Sequence, residues 1–176
     1  MQPLLKKGSS LKAGSYVIVA PLYSRIGVME NRISLSPQKF REIVFQLIYS
    51  QDFGGDGEVI GMLMAQLCVT KKTVRQAEVV KEKFLEKKSE IDTLLSQHSK
   101  SYDLERIPRV ERNILRLGIY ELLWCKEVPP KVVIAEAMRL ARKFATVEAA
   151  NFVNALMDSI YQSIGEKSDE CVLEPV

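Results

Sequence analysis

Histidine is nearly missing from this chain of 176 residues: His98 is the only one, and no Cys, Ser or Asp motif accompanies it. A catalytic triad needs a base oriented by a third group, and a zinc site needs clustered ligands, so neither can be built around one imidazole. Cysteine is scarce as well. Cys68, Cys125 and Cys171 are odd in number, far apart and without CxxC spacing, which reads as reduced thiols in a cytoplasmic protein rather than a disulfide framework. The chain also lacks GxxxxGK[ST], GxGxxG and GxSxG, which removes the common nucleotide cradles and the hydrolase elbow. Gly54-Gly55-Asp56-Gly57 has too few spaced carboxylates for a calcium loop and reads as a turn. No apolar run approaches the roughly 18 residues of a membrane span. These absences leave no basis for an enzyme, a cofactor or a metal site.

What is present suffices for a folded core. Apolar residues make up 47% of the chain and charged residues 27%, a balance that excludes both a disordered tail and a membrane protein. The net charge of +3 implies nothing about nucleic acid by itself. Its distribution is uneven: residues 1–50 hold seven Lys or Arg against two acids, whereas 51–108 and 109–176 each hold nine against ten.

Residues 1–33 read as an N-terminal extension. Gly8, Gly14, Pro21 and Gly27 punctuate a short β-like run from Tyr16 to Ala20, and no 3.6-residue period is present. Lys6, Lys7 and Lys12 precede that run, but it is short for a signal peptide and no small-x-small site follows. Met29 stands just before the first strongly helical segment, which favours a start there and a loosely attached 1–28. Peptides from residues 1–28 in mass spectra of the native protein would overturn that expectation.

From residue 34 onward the pattern is helical. Ser36-Pro37 forms a cap and first position for a helix to about Ser50. An apolar helix follows over 58–69, then a long charged one from Lys71 to about Gln97, capped by Thr70, with Val74, Ala77, Val80, Phe84, Ile91 and Leu95 on one side. Pro108 opens a helix ending near Cys125, Pro130 opens the next to Phe144, and Thr146 caps a last one to about Ile164. Beyond Gly165 the chain is acidic and reads as a flexible tail over 165–176. The expectation is an all-α bundle of six to seven helices in two packed subdomains spanning 34–164.

Two surfaces stand out as candidates. On a 100° wheel the first helix gathers Phe40, Ile43, Val44, Leu47 and Ile48 on one arc, leaving Gln38, Arg41, Glu42, Phe45 and Tyr49 opposite. That opposite side is suited to stacking an unpaired base while a guanidinium meets phosphate, or else its aromatics pack beneath another helix. Arg32 and Lys39 add positive charge beside it. In the helix from Pro108, the residues Arg109, Arg112, Asn113, Arg116 and Tyr120 fall within about 100° of one another. This stripe is either solvated and acid-paired, or a contact surface for phosphate or protein.

Residues 103–161 resemble the NusB family. The resemblance rests on Arg109-Val-Glu-Arg-Asn-Ile-Leu-Arg116, Ile119-Tyr-Glu-Leu122, Glu127-Val-Pro129, Lys131 to Ala137, Leu140 to Phe144, and Phe152-Val-Asn154 followed by Asp158. Arg41-Glu42 through Leu47-Ile-Tyr-Ser50 is similar to that family's first helix, and the likeness is weak across 51–102. The resemblance implies a helical transcription antitermination factor that binds boxA-type single-stranded RNA of ribosomal RNA operons with NusE, a small-subunit ribosomal protein, and acts on transcribing RNA polymerase. It also implies self-association as an option when the partner is absent. RNA-contacting residues would be Lys39, Arg41 and Tyr49, with Phe45, Arg112 and Arg116 added by the wheel. Partner-facing residues would be Glu111, Glu148, Phe152 and Asn154.

Some positions depart from the family pattern. Pro37-Gln38-Lys39-Phe40-Arg41 stands where the family opens with an arginine cluster, which implies reduced RNA affinity and a shallower salt dependence. Pro130 replaces an aromatic residue, and Ala155 replaces a glycine. Two other readings remain at this point: a helical protein-binding module in ribosome assembly with little RNA binding of its own, and a fragment of an RNA methyltransferase, for whose catalytic domain the chain has no room.

Overall fold

The computed structural model describes residues 35–54, 57–99 and 103–170, with the backbone alone described for 57, 58 and 165–170. The expected leader with its Met29 start, Gly55-Asp56 of the expected turn, and the tail from 171 lie outside the described residues. Within them the structure has six helices: α1 (Pro37–Gln51), α2 (Gly57–Leu67), α3 (Lys71–His98), α4 (Arg109–Trp124), α5 (Pro130–Phe144) and α6 (Val147–Glu170), with a 3-10 turn at Leu104–Arg106 before α4.

Local chemistry accounts for the boundaries. The Ser36 hydroxyl accepts from the Lys39 N–H at 3.3 Å, with Pro37 at the first helical position. Thr70 accepts from the Thr73 N–H at 3.3 Å and Thr146 from the Ala149 N–H at 3.1 Å. Gly54, at φ +73, turns the chain after α1, and Cys68 takes φ 50 after α2, a left-handed conformation usually left to glycine. Pro108 stands as the cap of α4 rather than its first residue. The last helix continues past Gly165 to Glu170, six residues beyond the expected end near Ile164.

α4 is the central helix, packed against α1, α3, α5 and α6. Apolar side chains facing it from every direction explain why it is buried from Asn113 to Glu121. The N-terminal three helices and the C-terminal three share one continuous core, with Ile43, Leu63, Phe84, Ile114, Leu140 and Met157 among its fully buried members. Each such side chain stabilises the fold by roughly 1.5–3 kcal/mol relative to exposure. Gly118 permits the closest approach: a Cβ there would lie 2.7 Å from Met157 Cε and 3.6 Å from Ala137 Cβ.

At the far end of α4, the half-buried Trp124 stacks on Tyr120 with ring centroids 5.7 Å apart, and Lys87 of α3 places Nζ 5.5 Å from its ring. Next to it burial pushes the Cys125 thiol up to about 12. No helix among the described residues is long and apolar enough to cross a membrane.

Candidate functional site

The first helix is buried almost all round. Arg41, Glu42 and Phe45, expected on a solvent-facing side, are 2%, 6% and 2% exposed, so that expectation is corrected. The reason is that the wheel allows one buried arc, whereas α3 covers one side of α1 and the α4–α5 pair covers the other. Arg41 reaches Glu121 of α4 at 2.7 Å and Glu136 of α5 at 3.2 Å. Glu136 is shared with Arg139 at 2.8 Å, Arg139 pairs in turn with Glu42, and Lys143 reaches the other Glu42 oxygen at 2.7 Å. Three cations and three carboxylates thus cancel within one network that ties α1 to α4 and α5. Burial works to raise Glu42, but hydrogen bonds and charge from Lys143 and Arg139 outweigh it and hold the carboxyl below its usual range. Phe45 packs on Phe144 of α5 at 4.9 Å between centroids.

The stripe on α4 is corrected in the same way. Arg116 is 5% exposed and Asn113 1%. Arg116 grips Asp92 of α3 with two bonds, Nε at 2.6 Å and the other arm at 2.9 Å, while Asn113 donates to Asp52 at 2.7 Å. Arg116 therefore clamps α3 to α4 and does not face solvent. Tyr120 is buried too. Of the stripe, Arg109 is exposed and Arg112 half-buried, its guanidinium donating to the Leu104 carbonyl at 3.1 Å.

What remains outward forms a continuous strip around the head of α4. Tyr49, half-buried, leads to Phe53, whose ring centroid is 5.1 Å away and which is 58% exposed. Arg109 lies over the Phe53 ring at 4.8 Å, a cation–π contact at the surface. Beyond Arg109 the turn Arg106-Ile107-Pro108 borders two cavities. One is completed by Glu105, Arg109 and Arg112, the other, of about 180 Å³, by Glu111 and Phe152. Burial raises the Glu111 carboxyl above its ordinary value.

The predicted residues are therefore partly assembled. Tyr49, Arg112, Glu111 and Phe152 fall along this strip. Glu148 sits one turn before Phe152 on the same side of α6, fully exposed, held below its usual range by its own backbone N–H and the Thr146 hydroxyl. Asn154 lies about 200° around α6 from Phe152 and donates to Asp158 at 3.1 Å. Lys39 is half-buried at the start of α1, about 15 Å along the axis from Tyr49. Phe53 and Arg106 are additions that sequence reasoning missed. Phe45, Tyr49 and Phe53 recur every fourth residue, a signal hidden by reading the glycines as the end of the surface.

The NusB family profile matches residues 38–162. The transcription antitermination protein NusB of Chlamydia pneumoniae is 33% identical over 135 residues, covering 74% of this chain and 84% of that protein. Among solved structures, NusB of T. maritima is similar with a TM-score of 0.61 and 32% identity, over 72% of this chain and 91% of the other. A crystal structure of the antitermination factors NusB and NusE in complex with dsRNA contains a chain similar at TM-score 0.61 and 28% identity, over 72% and 96%. With the profile covering most of the described helices and the fold agreeing, this chain belongs to the NusB family.

Proposed function

We propose that this chain is a cytoplasmic transcription antitermination factor that binds boxA-type single-stranded RNA together with NusE and delivers the pair to transcribing RNA polymerase. The carrying observation is the strip itself: an aromatic pair and a surface guanidinium, Tyr49, Phe53 and Arg109, are followed by the turn Arg106-Ile107-Pro108, which borders the cavity lined by Glu111 and Phe152. Exposed aromatics stack on unpaired bases whatever their identity, and guanidiniums meet the phosphates between them. The Glu111–Phe152 cavity sets a carboxylate and an apolar wall beside the Arg106 guanidinium, and Glu148 extends the same side of α6, a mixed apolar and charged surface that suits a protein partner. A similar chain is known in complex with NusE and dsRNA.

In this reading Tyr49, Phe53, Arg109, Arg112 and Lys39 contact RNA, and Glu111, Glu148 and Phe152 face the partner or self-associate in its absence, whereas Asn154, on the other side of α6 and bonded to Asp158, lies off that surface. Arg41, Phe45 and Arg116 act as framework beneath them. Covalent chemistry plays no part. Labelled boxA-type RNA, titrated with and without NusE over a salt series and against a scrambled strand, tests the proposal. Tyr49→Ala weakens RNA binding about five- to a hundredfold, the value of one stacked base, with helical content unchanged. Equal affinity for the scrambled strand, with NusE still bound, would instead favour a protein-binding module in ribosome assembly.

A further inference from the structure

Three guanidiniums converge at the head of α4 on a cavity of about 450 Å³, lined by Arg106, Arg109 and Arg112 with Glu105, Ile107 and Pro108. Each arginine is only lightly committed. Arg106 pairs with Asp103 at 3.6 Å, both side chains being more than two-thirds exposed, and such contacts are worth ~0–1 kcal/mol. Arg109 rests its face over Phe53, which leaves its in-plane N–H donors for other acceptors. Arg112 spends NH1 on the Leu104 carbonyl, while its buried Nε has no hydrogen-bond partner. The wall sets three positive charges against the one carboxylate of Glu105. Pro108 caps α4 without any side-chain acceptor, so the positive end of the helix dipole meets the same space.

We propose that this cavity seats one phosphate group, and that in the RNA-bound protein it is a backbone phosphate of the strand crossing Tyr49 and Phe53. Planar guanidinium forks match phosphate and carboxylate oxygens alike two at a time, but a phosphate offers enough oxygens and charge to engage several forks at once, which acetate with its two oxygens and single charge does not. The first clause stands on the cavity alone, and the second rests on the RNA reading above. It replaces the expected row of Arg109, Arg112 and Arg116 on one helix with a cluster drawn from a turn and a helix start.

Inorganic phosphate titrated into ¹⁵N-labelled protein at constant ionic strength tests the first clause through the arginine Nε–H resonances. Saturable shifts at Arg106, Arg109 and Arg112 are expected, weakened severalfold by Arg106→Gln and strengthened by Glu105→Gln. For RNA, Arg106→Gln lowers the slope of log affinity against log salt by about 0.7, one phosphate contact on a single strand. Shifts that do not saturate, or that acetate reproduces at equal concentration, overturn the phosphate seat. An unchanged salt slope in Arg106→Gln, while Tyr49→Ala still weakens RNA, overturns the RNA clause and leaves the function standing. Saturable phosphate shifts in a protein that binds no RNA sustain the seat and sink the function.

Discussion

Removing the Arg41 side chain deprives Glu121 and Glu136 of a guanidinium that touches both in an almost dry environment. Breaking a buried pair from one side costs about 3–5 kcal/mol, because the remaining charge has been taken out of water. Arg41→Met is therefore expected to lower stability by that amount in urea unfolding, and any loss of RNA binding will track unfolding. A variant with wild-type stability and impaired RNA binding would return Arg41 to the surface. Lys143 offers a milder probe at 49% exposure. Glu42 is held below its unfolded value, so its contribution is present above that value and is lost as pH falls through the depressed folded one. Lys143→Met should raise the Glu42 titration midpoint and move acid unfolding to higher pH, read by NMR and circular dichroism. None of this was legible locally: the partners of Arg41 lie 80 and 95 residues away, and a wheel that finds the apolar arc does not show that the charged side opposite is roofed over as well.

At the scale of elements, caps and prolines were readable because each acts within four residues of itself. Ser36, Thr70, Thr146 and Pro130 mark helix starts by chemistry that needs no tertiary partner. Sidedness was less readable. A periodic wheel locates the most apolar arc, which suits a surface helix, yet α1 and α4 are interior helices whose polar residues are buried in pairs. The crossing of α4 with α5 and α6 depends on Gly118. Gly118→Val would drive branched carbons into Met157, and overpacking of this kind costs about 1–3 kcal/mol. Thermal unfolding of the single variants and the double variant with Met157→Ala should show the pair less destabilised than the sum. Strict additivity would mean that the crossing has slack.

Across the whole molecule, the even balance of charge after residue 50 was the informative feature. Nine cations against ten acids in each stretch after residue 50 supply Glu121, Glu136 and Asp92 as inward partners for Arg41 and Arg116, and that pairing takes both arginines away from the strip. Family membership was legible from motifs in α4 to α6, while Phe53 and Arg106, which complete the strip, belong to connections whose placement only the folded chain reveals. Trp124, the one tryptophan of the chain, sits where α3 meets the end of α4, against Tyr120 and Lys87. Its emission should change in step with helical ellipticity during denaturation, since α3 and α4 share the common core. The strip around Tyr49 and Phe53 holds no indole, so wild-type fluorescence should stay dark to an incoming strand. Phe53→Trp, excited at the red edge and quenched by stacked bases, would give the protein a second, ligand-facing lamp.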